Sequence, residues 1–222
     1  MADDEFDHAE KRRSLMLLAL AEVSALSLWF SASAIVPQLK VEAGISDVQA
    51  SLYTSAVSIG FVAGTLVSAL LTLPDRMQPT RLFAISAVVA ASANAAVLGI
   101  DPNSFLVIVL RFITGVCMAG IYPVGMKLAS SWSRGDTGFL VGLLVGALTL
   151  GSALPHLFNV AGGVDWRFTM TAASMAAGLS ALLILQCRPG PGLGAAAPFN
   201  PHAMLEAWRN RPLRLANLGY LG

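Results

Sequence analysis

Nearly all the charged residues are gathered in short blocks between or beyond six predominantly apolar runs, at 15–36, 50–73, 82–100, 104–126, 138–160 and 168–187. About twenty helical residues at about 1.5 Å rise cover a hydrocarbon layer about 30 Å thick, and each run meets that length. None shows the strict polar/apolar alternation, in segments of about ten residues, that a membrane β-barrel requires. The pattern therefore predicts an all-α polytopic membrane protein with six transmembrane helices. The junctions VEAGISDV, LPDRMQPT, GIDPN, SWSRGDT and AGGVDW are short, which forces consecutive helices to run antiparallel. Asp101-Pro102 and Asp136-Thr137 read as helix starts, with an acceptor side chain at or near the N-cap.

The pattern changes after residue 187. RPGPGLGAAAP (188–198) is a Pro/Gly/Ala linker, and Asn200-Pro201 then opens a short amphipathic helix, HAMLEAWRNR, whose Trp208 and Arg209 suit a membrane interface. LRLANLGYLG (213–222) turns apolar again, as a seventh span would. The expected organisation is a tail (1–14), a six-helix bundle (15–187), a linker with its amphipathic helix (188–212) and the start of a truncated seventh helix (213–222), that is, half of a longer protein.

Composition agrees. Of 222 residues 55% are hydrophobic and 12% charged, against about a quarter charged in a soluble domain, and mean hydropathy is +0.68. The net charge of +1 hides a spatial bias. With the N-terminus inside, Lys11, Arg12, Arg13, Arg76, Arg81, Lys127, Arg134, Arg188, Arg209, Arg211 and Arg214 are cytoplasmic, and only Lys40 and Arg167 lie outside. This asymmetry predicts a multi-pass protein of the inner (cytoplasmic) membrane with a cytoplasmic N-terminus. MADDEFDHAEKRR is too acidic for a signal peptide, so the first run is a retained helix.

Soluble-enzyme chemistry finds no foothold. There is no Gly-rich phosphate loop followed by Lys-Ser/Thr and no His-x-x-Glu-His or Cys-x-x-Cys spacing, and Cys117 and Cys187 lie at different depths. No enzyme, cofactor, metal or nucleic-acid partner is expected. The partner expected from composition is the lipid bilayer.

Two charges stand inside the apolar runs. Arg111, a permanent cation, is the eighth residue of the fourth, which costs a few kcal/mol unless it faces a polar cavity or a partner. Glu22 is the acidic residue of the first run and the obvious partner. Their positions from opposite ends of antiparallel helices separate them by about 10 Å along the membrane normal, so both lining one watery cavity is the alternative to a salt bridge. Trp29, Tyr53, Asn94, Tyr122 and His156 can also donate or accept within the spans, with packing as the plainer explanation for all of them but Tyr122. Tyr122-Pro123 frees a backbone carbonyl where irregular helices line cavities, and His156 adjoins Pro155 near the outer end of the fifth helix.

Three local patterns give the chain a family likeness. LTLPDRMQPTR carries Leu73, Asp75 and Arg76 in the register of the signature G-x-L-a-D-R-x-G-R-K, with Leu71 and Gln78 replacing its glycines and Arg81 one position late. RFITGVCMAGIYPVGMKLASSW places Arg111 and Gly115 as in an R-x-x-x-G pattern. GFLVGLLVGALTLGSALP spaces Gly138, Gly142 and Gly146 by four, followed by Gly151 and Pro155, a small-residue face that lets helices approach. With six short-looped helices and a long linker, the chain resembles the N-terminal half of a major facilitator superfamily transporter.

That resemblance implies a 3+3 inverted-repeat bundle, spans one, two, four and five around a central path, and a C-terminal six-helix half and a small-molecule or ion substrate as partners. It implies a cytoplasmic gate at Asp75, Arg76 and Arg81, and a substrate or proton pathway over Arg111, Glu22, Tyr122, His156, Trp29 and Tyr53. The expected function is secondary active transport of a small solute, such as a small anion or organic acid, as a symporter or antiporter and proton-coupled. A drug or metabolite exporter of the same superfamily and a six-helix scaffold without transport activity are the alternatives. The junctions LPDRMQPTRLF and GGVDWRFTM share an acid-base turn, as an inverted repeat predicts.

Overall fold

The computed structural model describes residues 8–194 and 209–220, with 216–220 as backbone alone. Among the described residues six helices are long and apolar enough to cross a membrane, and there is no strand. The first two spans are α1 (His8–Glu42) and α2 (Asp47–Leu71), and the short α3 (Leu73–Arg76) fills the turn that follows. α4 (Pro79–Ala96), extended by a 3₁₀ turn (Val97–Gly99), is the third span, and α5 (Phe105–Met118) with α6 (Tyr122–Ser130) makes the fourth. α7 (Thr137–Ala161) and α8 (Trp166–Leu185) complete the bundle. Beyond the linker, α9 (Arg211–Tyr220) is helical and solvent-exposed over 211–215. The expected amphipathic segment at 202–208 lies outside the described residues.

Helix ends follow capping chemistry. Ser46 accepts from the Gln49 amide (3.2 Å), Ser104 from Leu106 (3.2 Å) and Asp165 from Arg167 (2.9 Å). Asp101 does not start a helix, as its position before proline suggests; its carboxylate accepts from the Asn103 amide (2.7 Å) in a turn, and Ser104 takes the cap. α1 overruns its apolar core at both ends, because its polar ends find partners on neighbouring segments. The fourth span breaks where Ala119, Gly120 and Ile121 bond back three residues (3.2, 2.9 and 3.0 Å) in a tight turn. Pro123, which lacks an N–H, allows the chain to restart as α6 but not to run through as one helix.

Side-chain size decides which helices touch. Gly60 and Gly64 on α2 and Gly115 on α5 let two backbones meet: a Cβ on Gly115 would stand 2.0 Å from the Val57 carbonyl oxygen, and one on Gly60 2.1 Å from that of Phe112. Gly151 does the same for α7 on α1, against Val23 and Leu26. The main pairings are span two with four, one with five, one with six, three with four, and three with six. Exchanging spans one to three for four to six maps this set onto itself, which is the contact pattern of an internal two-fold repeat. Outward faces stay apolar: Ile59, Leu66 and Leu70 on α2 and Met175 and Leu182 on α8 are more than half exposed, a surface suited to lipid.

At the face carrying most of the basic residues, polar contacts fasten the ends together. Lys11 pairs with Asp136 (2.5 Å) and Arg188 with Glu10 (2.8 Å). The first residues of the linker are docked: the amides of Gly190 and Gly192 donate to Ser131 Oγ (2.8 Å) and its carbonyl (2.9 Å), and Trp132 Nε1 donates to the Arg188 carbonyl (3.0 Å).

Candidate functional site

Arg111 is 1% exposed, and five acceptors from three other helices surround its guanidinium. Nε donates to the Tyr53 carbonyl on α2 (3.3 Å). Nη1 donates to Ser31 Oγ on α1 (2.9 Å) and Asn94 Oδ1 on α4 (2.8 Å). Nη2 donates to the Leu28 and Trp29 carbonyls on α1 (3.1 Å each). A guanidinium has five N–H donors, and all five are used. Among the described residues no carboxylate takes part, so the charge is held by oriented dipoles, which the rigid planar fork of arginine suits and a lysine would not.

The network reaches further than its cation. Asn94 Nδ2 donates to Ser174 Oγ (2.9 Å) and the Met170 carbonyl (3.3 Å) on α8, and Ser31 Oγ donates to the Leu28 carbonyl (2.8 Å). Five helices, α1, α2, α4, α5 and α8, meet on one connected set of polar groups. Tyr53 is fully buried, and its hydroxyl donates to the Pro102 carbonyl (2.8 Å), so its ring ties α2 to the turn before α5. The sequence suggests Asn94 as a packing residue on an outer span; in the structure its amide links Arg111 to α8. Ser31, one of many serines in α1, carried no signal.

Glu22 is the opposite case. It is fully buried, and neither carboxylate oxygen has a hydrogen-bond partner among the described residues. It does not meet Arg111. It packs instead against the restart of the broken span: a Cβ on Gly125 of α6 would stand 1.8 Å from Glu22 Oε1. An ionised carboxylate with no donor and no counter-charge is costly in an apolar interior, so this packing suits the neutral acid.

Of the residues read as a gate, Asp75 on α3 pairs with Lys127 of α6, whose Nζ also donates to the Pro74 carbonyl (3.0 Å). Arg76 Nε donates to Thr72 Oγ1 (3.2 Å), and Arg81 is exposed at the start of α4. Lys127 went unrecognised because its partner lies 52 residues away.

The remaining positions disperse. Trp29 is half-buried with its ring 4.8 Å from that of Phe61. Tyr122 opens α6, and His156 is exposed on α7 next to the buried Pro155. Gly115 and Gly151 stand in tight helix contacts, whereas Gly138, Gly142 and Gly146 have nothing within 4 Å of a Cβ position. Gly142 and Gly146 line an apolar groove of about 500 Å³ between α1 and α7, with Leu20, Val23 and Phe139. The groove runs on, at about 450 Å³, to the basic Lys11 and Arg12. The spacing Gly60-x-x-x-Gly64 was the sequence signal for the tightest helix contact, and it passed unnoticed.

The arrangement thus separates a saturated cation from an unpartnered acid inside one helical bundle. The sequence pattern of the Major Facilitator Superfamily matches residues 17–221. The chloramphenicol resistance protein of Streptomyces lividans is 28% identical over 200 residues, which cover 86% of this chain and 49% of that protein. The chain spans about half the length of this curated relative.

Proposed function

The chain belongs to the Major Facilitator Superfamily, and we propose that it forms the N-terminal half of a secondary active transporter that exchanges or co-transports a small solute with protons by alternating access. The multi-pass bundle sits in the cytoplasmic membrane with its basic face inside, a reading supported by the eleven-to-two distribution of lysine and arginine. The second six-helix half packs on the exposed glycine face of α7 and the groove beside α1, which the described bundle leaves uncovered.

The observation that carries the proposal is Glu22: a fully buried carboxyl with both oxygens unpartnered. Ionisable groups buried in membrane helices mark proton relays and substrate paths, and among the described residues this one has no structural bond to account for it. Arg111 plays the contrary part. With its donors all engaged by protein acceptors, it anchors the bundle and leaves none for an anion in this conformation. The solute accordingly is neutral or cationic rather than a small anion held by Arg111. The relative named for chloramphenicol resistance makes that neutral compound the first solute to test, and favours the exporter reading within the superfamily over uptake.

The test is solute-driven proton movement in proteoliposomes holding the complete transporter, with chloramphenicol, a lipophilic cation and small anions as arms. We expect Glu22→Gln to insert normally and to lose pH-gradient-driven accumulation. Undiminished proton-coupled transport by Glu22→Gln would overturn the assignment, and proton-coupled flux of the anions alone would overturn the solute class.

A further inference from the structure

Gly125 and Lys127 lie two residues apart on α6 and so about 200° apart around it, on opposite sides of the helix. One side meets the Glu22 carboxyl of α1; the other holds Asp75 and the Pro74 carbonyl of α3. α6 is a nine-residue helix, freed from α5 by the turn at Ala119, Gly120 and Ile121. A short rod that is hinged at one end and wedged between two charge-bearing contacts transmits displacement from one to the other.

We propose that α6 is a lever that couples the charge on Glu22 to the Lys127–Asp75 ion pair, so that ionising the carboxyl re-seats the pair. The inference rests on the reading of Glu22 as a proton site. Ionised, Glu22 needs a hydrogen-bonding shell, and a water bound on the Oε1 side competes for the space that Gly125 now closes off. Admitting it moves α6 off α1 by about 3 Å, the spacing of a water hydrogen-bonded to a carboxylate. Close-packed interiors pass such a shift on rather than absorb it. Lys127 then cannot hold both Pro74 and Asp75 in their present places.

The cation that responds is thus supplied by this bundle. Glycine at 125 suits the closed position, since a Cβ there would stand 1.8 Å from Oε1 and would make the carboxyl or the helix shift. The titratable groups on the helices packed against α1 are Asp47 and Tyr53 on α2, Arg81 on α4, Arg111 and Cys117 on α5, Tyr122 and Lys127 on α6, His156 on α7 and Arg167 on α8. None of them hydrogen-bonds the Glu22 carboxyl. Its charge therefore acts on α6 through packing and not through a shared proton.

Spin labels at Arg76→Cys and Ser130→Cys, both exposed positions flanking the ion pair, read the movement by pulsed electron resonance. The background is the complete transporter with Cys117→Ala and Cys187→Ala. We expect a second distance population to appear as pH rises in the otherwise unaltered protein, to be missing at every pH in Glu22→Gln, and to be present at every pH in Gly125→Ala. If Gly125→Ala does not fold, the comparison of pH series with and without Glu22→Gln decides alone. One pH-independent population in all variants, with proton coupling still lost in Glu22→Gln, overturns the lever and leaves the proton site standing. A pH-dependent population that persists unchanged in Glu22→Gln overturns it too, by assigning the movement to another group.

Discussion

Replacing Arg111 by methionine separates two stages of assembly that pull in opposite directions. Methionine matches much of the volume but offers no donor. Insertion of α5 as an isolated helix becomes easier, since a central arginine costs about 2.5 to 3.5 kcal/mol on insertion scales. Association of the helices becomes harder. Five acceptors lose their donor: Ser31 Oγ, Asn94 Oδ1 and the carbonyls of Leu28, Trp29 and Tyr53. Hydrogen bonds between membrane helices are worth about 0.6 kcal/mol each, so five give roughly 3 kcal/mol. That is a large part of the 5 to 15 kcal/mol, roughly, that holds a folded protein together. The assay is unfolding of the purified protein in mixed micelles of rising dodecyl sulfate fraction, followed by tryptophan fluorescence. Arg111→Met should unfold at a clearly lower fraction while membrane insertion in cells is undiminished. Arg111→Lys, with three donors on a point charge, should fall between. An unfolding free energy for Arg111→Met within about 0.5 kcal/mol of the original, with transport abolished, would refute the anchoring argument and return Arg111 to the solute.

Three further outcomes follow from the same contacts. Gly115→Ala should sharply lower thermal stability in micelles, because its Cβ would fall 2.0 Å from the Val57 carbonyl, whereas Gly142→Ala should leave the isolated bundle unchanged; equal effects would sink the packing account. The hydrogen bond from Lys11 holds the Asp136 carboxyl below its usual range, helped by the Arg134 amide. A depressed carboxylate stabilises the fold above its unfolded value, about 3.9, and the benefit vanishes as pH falls through the folded value; the unfolding midpoints of Asp136→Asn and the original protein should therefore differ at neutral pH and converge in strong acid. Gly190→Ala would thrust a Cβ to 2.5 Å from the Ser131 carbonyl and should free the start of the linker, seen as faster proteolysis between 188 and 194.

Hydropathy alone located the six spans, because burial in lipid demands an apolar surface whatever the neighbours are. Details set by a partner were harder to see. Gly138, Gly142 and Gly146 of α7 have the spacing of a packing face, but spacing names no partner, and within the described bundle these three touch none; the same spacing at Gly60 and Gly64 is where two backbones meet. Arg111 announced itself by its cost. Its acceptors did not, for three are carbonyls that every residue carries and the others are Ser31 and Asn94, polar side chains of ordinary type. The break in the fourth span was signalled by Pro123, yet its consequence needed the structure: α6 and α1 converge until a Cβ at Gly125 would stand 1.8 Å from Glu22 Oε1.

The repeat-like contact pattern sharpens what Glu22 and Arg111 mean. Spans one and four are counterparts in the exchange that maps the pairings onto themselves, and each is held by glycine against its neighbour, span four on α2 and span one on α7. Their backbones are not alike. The counterpart that breaks carries a cation with every donor satisfied; the one that runs unbroken carries an acid with no partner. A saturated group resists movement, since each bond must be given up to shift it, whereas an unsatisfied acid stays buried only while neutral and drives rearrangement when charged. Fixing Arg111 on α5 above the break and leaving Glu22 against α6 below it assigns stability to one segment of span four and motion to the other. A transporter that lets a bundle flex without coming apart needs that division.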